Sequence, residues 1–149
     1  MSAVSHPGGI MNITERRFEH AVVLDVTGPI TGREAAGMID AAVRRHARAR
    51  TRILVANLGR VPFVDLAGLG ALVDAQTTMR HAGGAFRLAC VTKHIQDLVV
   101  ITRLLTVVDT FESIEEAVDR PIPTLREKAQ DWRLSTIALA PILRFLRRA

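Results

Sequence analysis

The sequence has 149 residues, which suits a single globular domain, and 48% of them are hydrophobic, enough to form a core. Aromatic residues make up only 4%, which argues against binding of single-stranded nucleic acid by stacking. The formal net charge of +5 lies mostly near the C-terminus, since residues 1–123 carry 14 Lys and Arg against 13 Asp and Glu, and residues 124–149 carry 6 against 2. A basic globular domain that binds nucleic acid is therefore not expected.

The first residues of the sequence predict no signal peptide. Residues 1–9 are small, polar and contain Gly and Pro, so we expect a flexible terminus. They lack the basic and apolar regions of a signal peptide, and no apolar run reaches about 18 residues, the length of a membrane span. The only cysteine, Cys90, excludes a disulfide framework. These features together predict a cytoplasmic protein.

Two strands and a helix are predicted at the start of the domain. The strands cover residues 10–18 and 20–27, and apolar residues alternate along the second. Gly28 and Pro29 then break the sheet, and Thr31 with Glu34 predicts a capping box at the start of a helix. The inner face of this helix is predicted to consist of Ala35, Ile39, Ala42, Val43 and His46.

A buried strand over residues 52–58 precedes the most informative stretch of the chain. Asp65 is a suitable N-cap for the helix that follows, because its carboxylate can accept backbone N–H groups of the first turn. The apolar stripe of this helix is predicted to contain Leu69, Leu72, Val73, Gln76 and Met79. Gly68 and Gly70 lower its helix propensity, so we expect a neighbouring strand or a partner to come close to the backbone there.

The remaining elements continue the alternation of strands and helices. A strand is predicted over residues 85–91, and Thr92 can cap a helix over residues 93–105. A short strand over residues 107–109 and an acidic helix over residues 113–119 complete the domain. The order β-β-α-β-α-β-α-β-α predicts an α/β fold in which helices pack on a sheet with right-handed crossovers.

The segment VDLAGLGAL, residues 64–72, resembles the signature of STAS domains, the anti-sigma-factor antagonist family. The usual pattern is D-S-(S/A/T)-G-(L/I)-G, which Asp65, Gly68, Leu69 and Gly70 match. FESIEEAV, residues 111–118, resembles the phrase that closes the family's fold. The resemblance implies a mixed sheet of four to five strands over residues 10–120, with a C-terminal helical extension beyond it.

The resemblance also implies a function in bacterial transcription regulation or the stress response, through binding of an anti-sigma factor or a kinase-like regulator. The partner-binding residues it implies are Asp65, Leu66, Ala67, Gly68 and Leu69. In family members a serine at the position of Leu66 is phosphorylated, and the added charge blocks docking. Leu66 has no hydroxyl, so no phosphorylation is expected at the family position, and Thr77 and Thr78, about three turns further on, are poor substitutes.

Two functions remain open at this point, and both are forms of binding. One is an interaction module without phospho-control, and the other is a structural STAS subunit of a larger assembly, such as a stressosome-like particle or a lipid-transport ABC complex. We expect no enzyme, no cofactor and no metal site. The histidines His20, His46, His81 and His94 lack partners at metal-ligand spacing and are predicted to be exposed or half-buried, and the lone G-L-G lacks the rest of a dinucleotide fingerprint.

Residues 121–149 are predicted to form an amphipathic, basic helical tail that the STAS resemblance does not cover. Pro141 is expected to kink or divide it. Its apolar face requires a cover, for which we expect the domain itself or a homodimer, with contact to a membrane surface or another partner as the alternative.

Overall fold

The computed structural model describes residues 10–101 and 108–122 of the chain. Within these ranges the elements follow the predicted order β-β-α-β-α-β-α-β-α. The strands are β1 Asn12–Arg17, β2 Ala21–Thr27, β3 Ile53–Arg60, β4 Ala85–Ala89 and β5 Asp109–Phe111. The helices are α1 Gly32–Arg48, α2 Leu66–His81, α3 Lys93–Ile101 and α4 Ile114–Asp119.

The predicted flexible N-terminus and helical tail fall largely outside the described residues. The division into residues 1–9, 10–120 and 121–149 therefore stays a prediction. None of the helices in the described ranges is both long enough and apolar enough to cross a membrane.

The strands form one mixed sheet in the order β1-β2-β3-β4-β5. β1 runs antiparallel to β2, and the other neighbouring pairs are parallel. The predicted α/β fold with a mixed sheet is confirmed, and the sheet has the larger of the two expected strand numbers.

Helices cover both faces of this sheet. Side chains of α1, α2 and α3 share one buried cluster with alternate residues of the strands, such as Leu24, Leu54 and Leu88. We call this side of the sheet the first face. On the opposite side, the second face, Val23 and Val55 belong to a smaller cluster that Ala117 of α4 completes.

The stripe of α2 differs from the predicted one at its middle positions. Val73 is only half-buried, whereas the buried positions include the small residues Ala71 and Ala75. Small side chains on this face suit the direct packing of α2 against α1. The predicted polar interruption, Gln76, is half-buried and accepts a hydrogen bond from the backbone N–H of Phe86 at 3.2 Å, which satisfies its carbonyl oxygen.

The exposure predicted for His46 is wrong, although its place on the inner face of α1 is confirmed. Its side chain is only 4% exposed and pairs through Nε2 with Glu15 at 3.0 Å and through Nδ1 with Thr51 at 3.2 Å. Partial burial would raise the pKa of Glu15, but hydrogen bonds from His46 and Arg45 outweigh this effect and lower it. The charged partner, Glu15, lies 31 positions from His46 in the chain, so local spacing gave no sign of this pair.

The last strand begins two residues later than predicted, at Asp109 instead of residue 107. Val108 is buried in the cluster on the first face, and the pairing with β4 joins Leu88 to Thr110 and Ala89 to Phe111. The apolar pair at residues 107 and 108 has the composition of a strand, but Val108 serves as a core contact before the strand begins. Residues 102–105 of the predicted third helix lie outside the described residues.

Arg87 is a fully buried cation on the second face, and sequence patterns indicated only that its strand is buried. Its guanidinium donates to the carbonyl oxygens of Ala117 at 2.8 Å, Pro121 at 3.2 Å and Arg120, all at or just after the end of α4. It also lies 5.3 Å from the ring centroid of Phe111. Burial lowers the pKa of Arg87, but the group stays charged at neutral pH and satisfies helix-end carbonyls that would otherwise be unpaired.

Replacing Arg87 with alanine should therefore detach the end of α4 from the sheet. We expect Arg87→Ala to lower the free energy of unfolding by about 3 kcal/mol, because charge-assisted hydrogen bonds are lost and buried carbonyls are left unpaired. Urea unfolding followed by circular dichroism measures the loss. Arg80→Ala, at an exposed arginine of α2, is the matched control and should change stability by no more than about 0.5 kcal/mol. Equal losses in the two variants would contradict the anchoring role of Arg87.

Candidate partner-binding site

The loop before α1 and the loop before α2 lie side by side at the carboxyl ends of β2 and β3, where parallel sheets commonly place binding sites. Ile30 and Val64 form an isolated parallel bridge. The backbone N–H of Ile30 donates to Phe63 at 3.1 Å, and that of Asp65 donates to Ile30 at 3.1 Å. The two loops therefore support each other through backbone hydrogen bonds.

Asp65 caps two helices at once. Its Oδ1 accepts from the backbone N–H of Gly68 at 2.8 Å, which confirms the predicted N-cap of α2. Its Oδ2 accepts from the backbone N–H of Gly32 at 2.8 Å, at the first residue of α1. The capping box predicted for Thr31 is wrong, because Thr31 occupies the N-cap position of α1 but its side chain makes no capping hydrogen bond. The carboxylate of Asp65 bonds the first N–H group of that helix instead.

Both hydrogen bonds favour the charged form of Asp65. The backbone N–H of Gly68, followed by that of Gly32, lowers the pKa of the carboxyl below its ordinary value of 3.8. A carboxylate between two helix N-termini also interacts favourably with both helix dipoles. Asp65 is consequently an anion at neutral pH, and its carboxylate is bound to backbone N–H groups at the starts of both helices.

The two signature glycines have different roles. A Cβ on Gly68 would lie 2.5 Å from the carbonyl oxygen of Ile30 and 2.7 Å from Cγ1 of Val64, so only glycine lets α2 begin this close to the neighbouring loop. A Cβ on Gly70 would meet nothing within 4 Å. The predicted close approach therefore exists at Gly68, where the neighbour is the loop before α1, and Gly70 faces open space.

The five predicted partner-binding residues divide into scaffold and surface. Gly68 and Leu69 are buried and belong to the scaffold, and Asp65 is half-exposed. Leu66 is 84% exposed, the largest value among the exposed large hydrophobic residues of the described chain, and Ala67 beside it is also exposed.

Sequence reasoning missed Phe63, which is 46% exposed in the same loop. An aromatic residue directly before the signature was a signal that could have drawn attention to it. We call Phe63, Leu66 and Ala67 the apolar tip. This surface carries no charge, and the loop and helix start that bear it are held in place by hydrogen bonds.

Position 66 offers no atom that can accept a phosphoryl group, because leucine ends in methyl groups. The nearest candidates on α2 are Thr77 and Thr78, which are both half-buried. The hydroxyl of Thr77 donates to the carbonyl oxygen of Val73 at 3.4 Å, within its own helix. Within the described residues no group of three or more His, Cys, Asp or Glu side chains could hold a metal ion.

Comparison with known proteins agrees with this geometry. The model of the STAS domain family matches residues 12–117, more than half of the chain. The chain belongs to the STAS domain family. No match was found among the curated proteins.

Solved structures of STAS domains and related proteins share the fold at low sequence identity. An anti-sigma factor antagonist from Mycobacterium paratuberculosis is 17% identical, with a TM-score of 0.64 over 78% of this chain and 95% of that one. The unphosphorylated anti-sigma factor antagonist SpoIIAA is 18% identical, with a TM-score of 0.62 over 73% and 95%. A sulfate transporter family protein from Wolinella succinogenes is 16% identical, with a TM-score of 0.60 over 67% and 83%.

The contrast between the two glycines can be measured directly. Gly68→Ala should lower the free energy of unfolding by about 2 kcal/mol or more, because the new methyl group overlaps the backbone of Ile30. Gly70→Ala should raise it by about 0.5–1 kcal/mol, because alanine is the better helix former and the space is open. Urea unfolding of the two variants provides the test, and a stability loss of similar size in both would contradict the assignment.

The double cap of Asp65 predicts a stability difference that depends on pH. Asp65→Asn keeps one acceptor oxygen and places an NH₂ group against the second backbone N–H, so we expect a melting temperature several degrees lower at pH 7. Because the folded-state pKa is lowered, the carboxylate's contribution is fully present above the unfolded value of 3.8 and is lost as the pH falls through the folded value. The gap between the wild type and Asp65→Asn should therefore narrow below about pH 4.

Asp74→Asn is the matched control for this measurement, since Asp74 is exposed on the same helix. Thermal unfolding of the three proteins should show a gap that closes in acid only for Asp65→Asn. A gap that stays constant from pH 7 to pH 3 would assign the effect to packing instead of charge.

Proposed function

We propose that this STAS domain is a non-enzymatic, cytoplasmic interaction module that binds an anti-sigma factor or a kinase-like regulator through its apolar tip. The observation that carries the proposal is Leu66, which is 84% exposed at the first position of α2. The preceding residue, Asp65, accepts one hydrogen bond from α2 and one from the start of α1. Single exposed leucines are common on protein surfaces, but few occupy the signature position of a binding family. An apolar side chain on a backbone that is already held in place can enter a pocket of the partner without the cost of ordering a loop.

The same residue removes the usual control of binding. Phosphorylation at this position would bring a charge of about −2 into an otherwise uncharged contact and oppose docking. Leu66 keeps the contact permanently uncharged, so binding depends on the concentrations of the two proteins and their affinity. The anti-sigma-factor antagonists among the structural neighbours support the class of partner.

The alternative function is a structural STAS subunit of a larger assembly, either stressosome-like or a lipid-transport ABC complex. A contact that cannot be switched off at position 66 suits a permanent subunit equally well. The two functions differ in the partner that is captured, because a sigma regulator and a transporter ATPase are readily distinguished by mass spectrometry. The predicted roles of the tail, in a homodimer or at a membrane surface, concern residues outside the described ranges and stay predictions.

Leu66→Glu should weaken partner binding at least about tenfold without destabilising the fold. A glutamate in the first turn of α2 interacts favourably with the helix dipole, so reduced binding cannot result from helix unfolding. The wild type and the variant are used to capture partners from native lysate, mass spectrometry identifies them, and calorimetric titration of the purified partner gives both affinities. Val100→Glu is the matched control, since it introduces the same charge at a residue of α3 that is 53% exposed.

Two outcomes would contradict the proposal. One is equal partner affinity in the wild type and Leu66→Glu. The other is phosphorylation of Thr77 or Thr78 that abolishes binding, because binding would then be controlled by phosphorylation at another position of α2. Leu66→Ser provides a positive control, because it restores the hydroxyl of the family pattern and should make binding sensitive to the partner kinase and ATP.

A further inference from the structure

A polar recess of about 360 Å³ lies on the second face of the sheet. Asp25 and Asn57 lie two residues after Val23 and Val55 on the same strands, so their side chains share that face. On this face α4 packs against β3, β4 and β5. The recess lies beside it, where residues of β1, β2 and the end of β3 form the lining. Its polar lining residues are Thr14, Arg16, Asp25, Thr27, Asn57 and Arg60.

The floor of the recess is a connected set of hydrogen bonds. Arg16 donates to Asp25 twice, from Nε to Oδ2 at 2.5 Å and from Nη2 to Oδ1 at 2.9 Å. Asn57 donates from Nδ2 to Oδ1 of Asp25 at 2.7 Å, and its own Oδ1 accepts from the backbone N–H of Gly59 at 3.1 Å. The guanidinium of Arg16 also lies 5.9 Å from the ring centroid of Phe18. These contacts hold Arg16 and Asn57 in place before any ligand arrives.

The charges of the recess do not cancel. Partial burial would raise the pKa of Asp25, but the hydrogen bonds from Arg16 and Asn57 and the charges of Arg16 and Arg60 outweigh it and lower it, so the carboxylate stays charged. Arg16 neutralises this carboxylate in a bidentate pair. Arg60 forms no ion pair within the described part of the chain, although its charge acts on Asp25. The charge of Glu115 on α4 also acts on Arg16, but Glu115 is not among the residues that line the recess. The lining itself holds two guanidinium groups and one carboxylate.

Several hydrogen-bond donors beside Arg60 are also unused. Among the described residues, Nη1 of Arg16, the second N–H of the Asn57 amide and the hydroxyl of Thr14 make no hydrogen bond, whereas Asp25 already accepts three. A recess that offers donors and a surplus positive charge, and whose single carboxylate is satisfied, favours an oxyanion. Guanidinium groups bind both carboxylate and phosphoryl oxygens in a bidentate geometry.

We propose that this recess binds the oxyanion group of a small molecule, phosphoryl or carboxylate, between the guanidinium groups of Arg60 and Arg16. Its volume lies at the small end of the range for small-molecule sites, which suits a compact metabolite. Asp25 and Asn57 act as positioning residues, because they hold the second guanidinium and the amide in place. The site uses none of residues 65–69, so it stands independently of the proposed partner binding.

The test is a titration of the full-length, ¹⁵N-labelled protein at low ionic strength, with inorganic phosphate in one arm and succinate in the other. We expect saturable changes of amide chemical shift concentrated at Thr14, Asp25, Asn57 and Arg60. The anion that binds more tightly identifies the source as phosphoryl or carboxylate. Added NaCl should weaken the binding, because an exposed guanidinium is screened by salt.

Arg60→Gln should reduce the affinity about tenfold or more, because it removes one of the two guanidinium groups and its hydrogen bonds to the anion. Arg80→Gln removes an equal charge from the exposed end of α2 and should leave the affinity unchanged. The proposal is overturned if shifts spread over the surface without saturating up to about 10 mM anion, or if the two variants bind equally well. Spectra of Arg60→Gln that match the wild type outside the recess establish that the fold is intact.

Discussion

The fold of the partner-binding edge depends on the carboxylate of Asp65, which joins the starts of α1 and α2. The first N–H groups of a helix have no partner within the helix, and Thr31 does not supply one for α1. Asp65 bonds Gly68 of its own helix and Gly32 of the other, so one charge satisfies donors from two elements. The absence of a side chain on Gly68 allows α2 to approach Ile30 closely, and the bridge between Ile30 and Val64 keeps the two loops aligned.

Local patterns in the sequence predicted, in their correct order, the nine elements found in residues 10–101 and 108–122, because periodicity, turn residues and caps act over a few positions. The cap of α2 was predictable for the same reason, since Asp65 and Gly68 are three residues apart. The second bond of Asp65 joins residues 33 positions apart, and Thr31 makes no capping bond of its own. Local spacing can reveal a cap within a helix's own sequence, whereas a cap supplied by a distant residue depends on how the elements pack.

Arg87 and His46, which are buried polar residues, show that local patterns predict burial but not the partners of a buried polar group. Arg87 stands in an apolar strand, and the pattern correctly predicts burial, but its acceptors lie 30 to 34 positions further on. His46 was correctly placed on the inner face of α1, yet its pairing with Glu15 crosses from the helix to the edge strand. Burial follows from local periodicity, whereas the groups that compensate a buried charge are determined by how the elements pack.

The signature of the family therefore separates into residues that build the scaffold and one residue, at position 66, whose side chain is exposed. Asp65, Gly68 and Leu69 act within the fold, as cap, close approach and core contact. The side chain at position 66 takes no part in that structure, because Asp65 supplies the cap and Leu66 is 84% exposed. A leucine in place of serine thus leaves every contact of the scaffold intact and changes only the chemistry presented to a partner. This separation is the structural basis of the proposal that the domain binds its partner without control by phosphorylation at position 66.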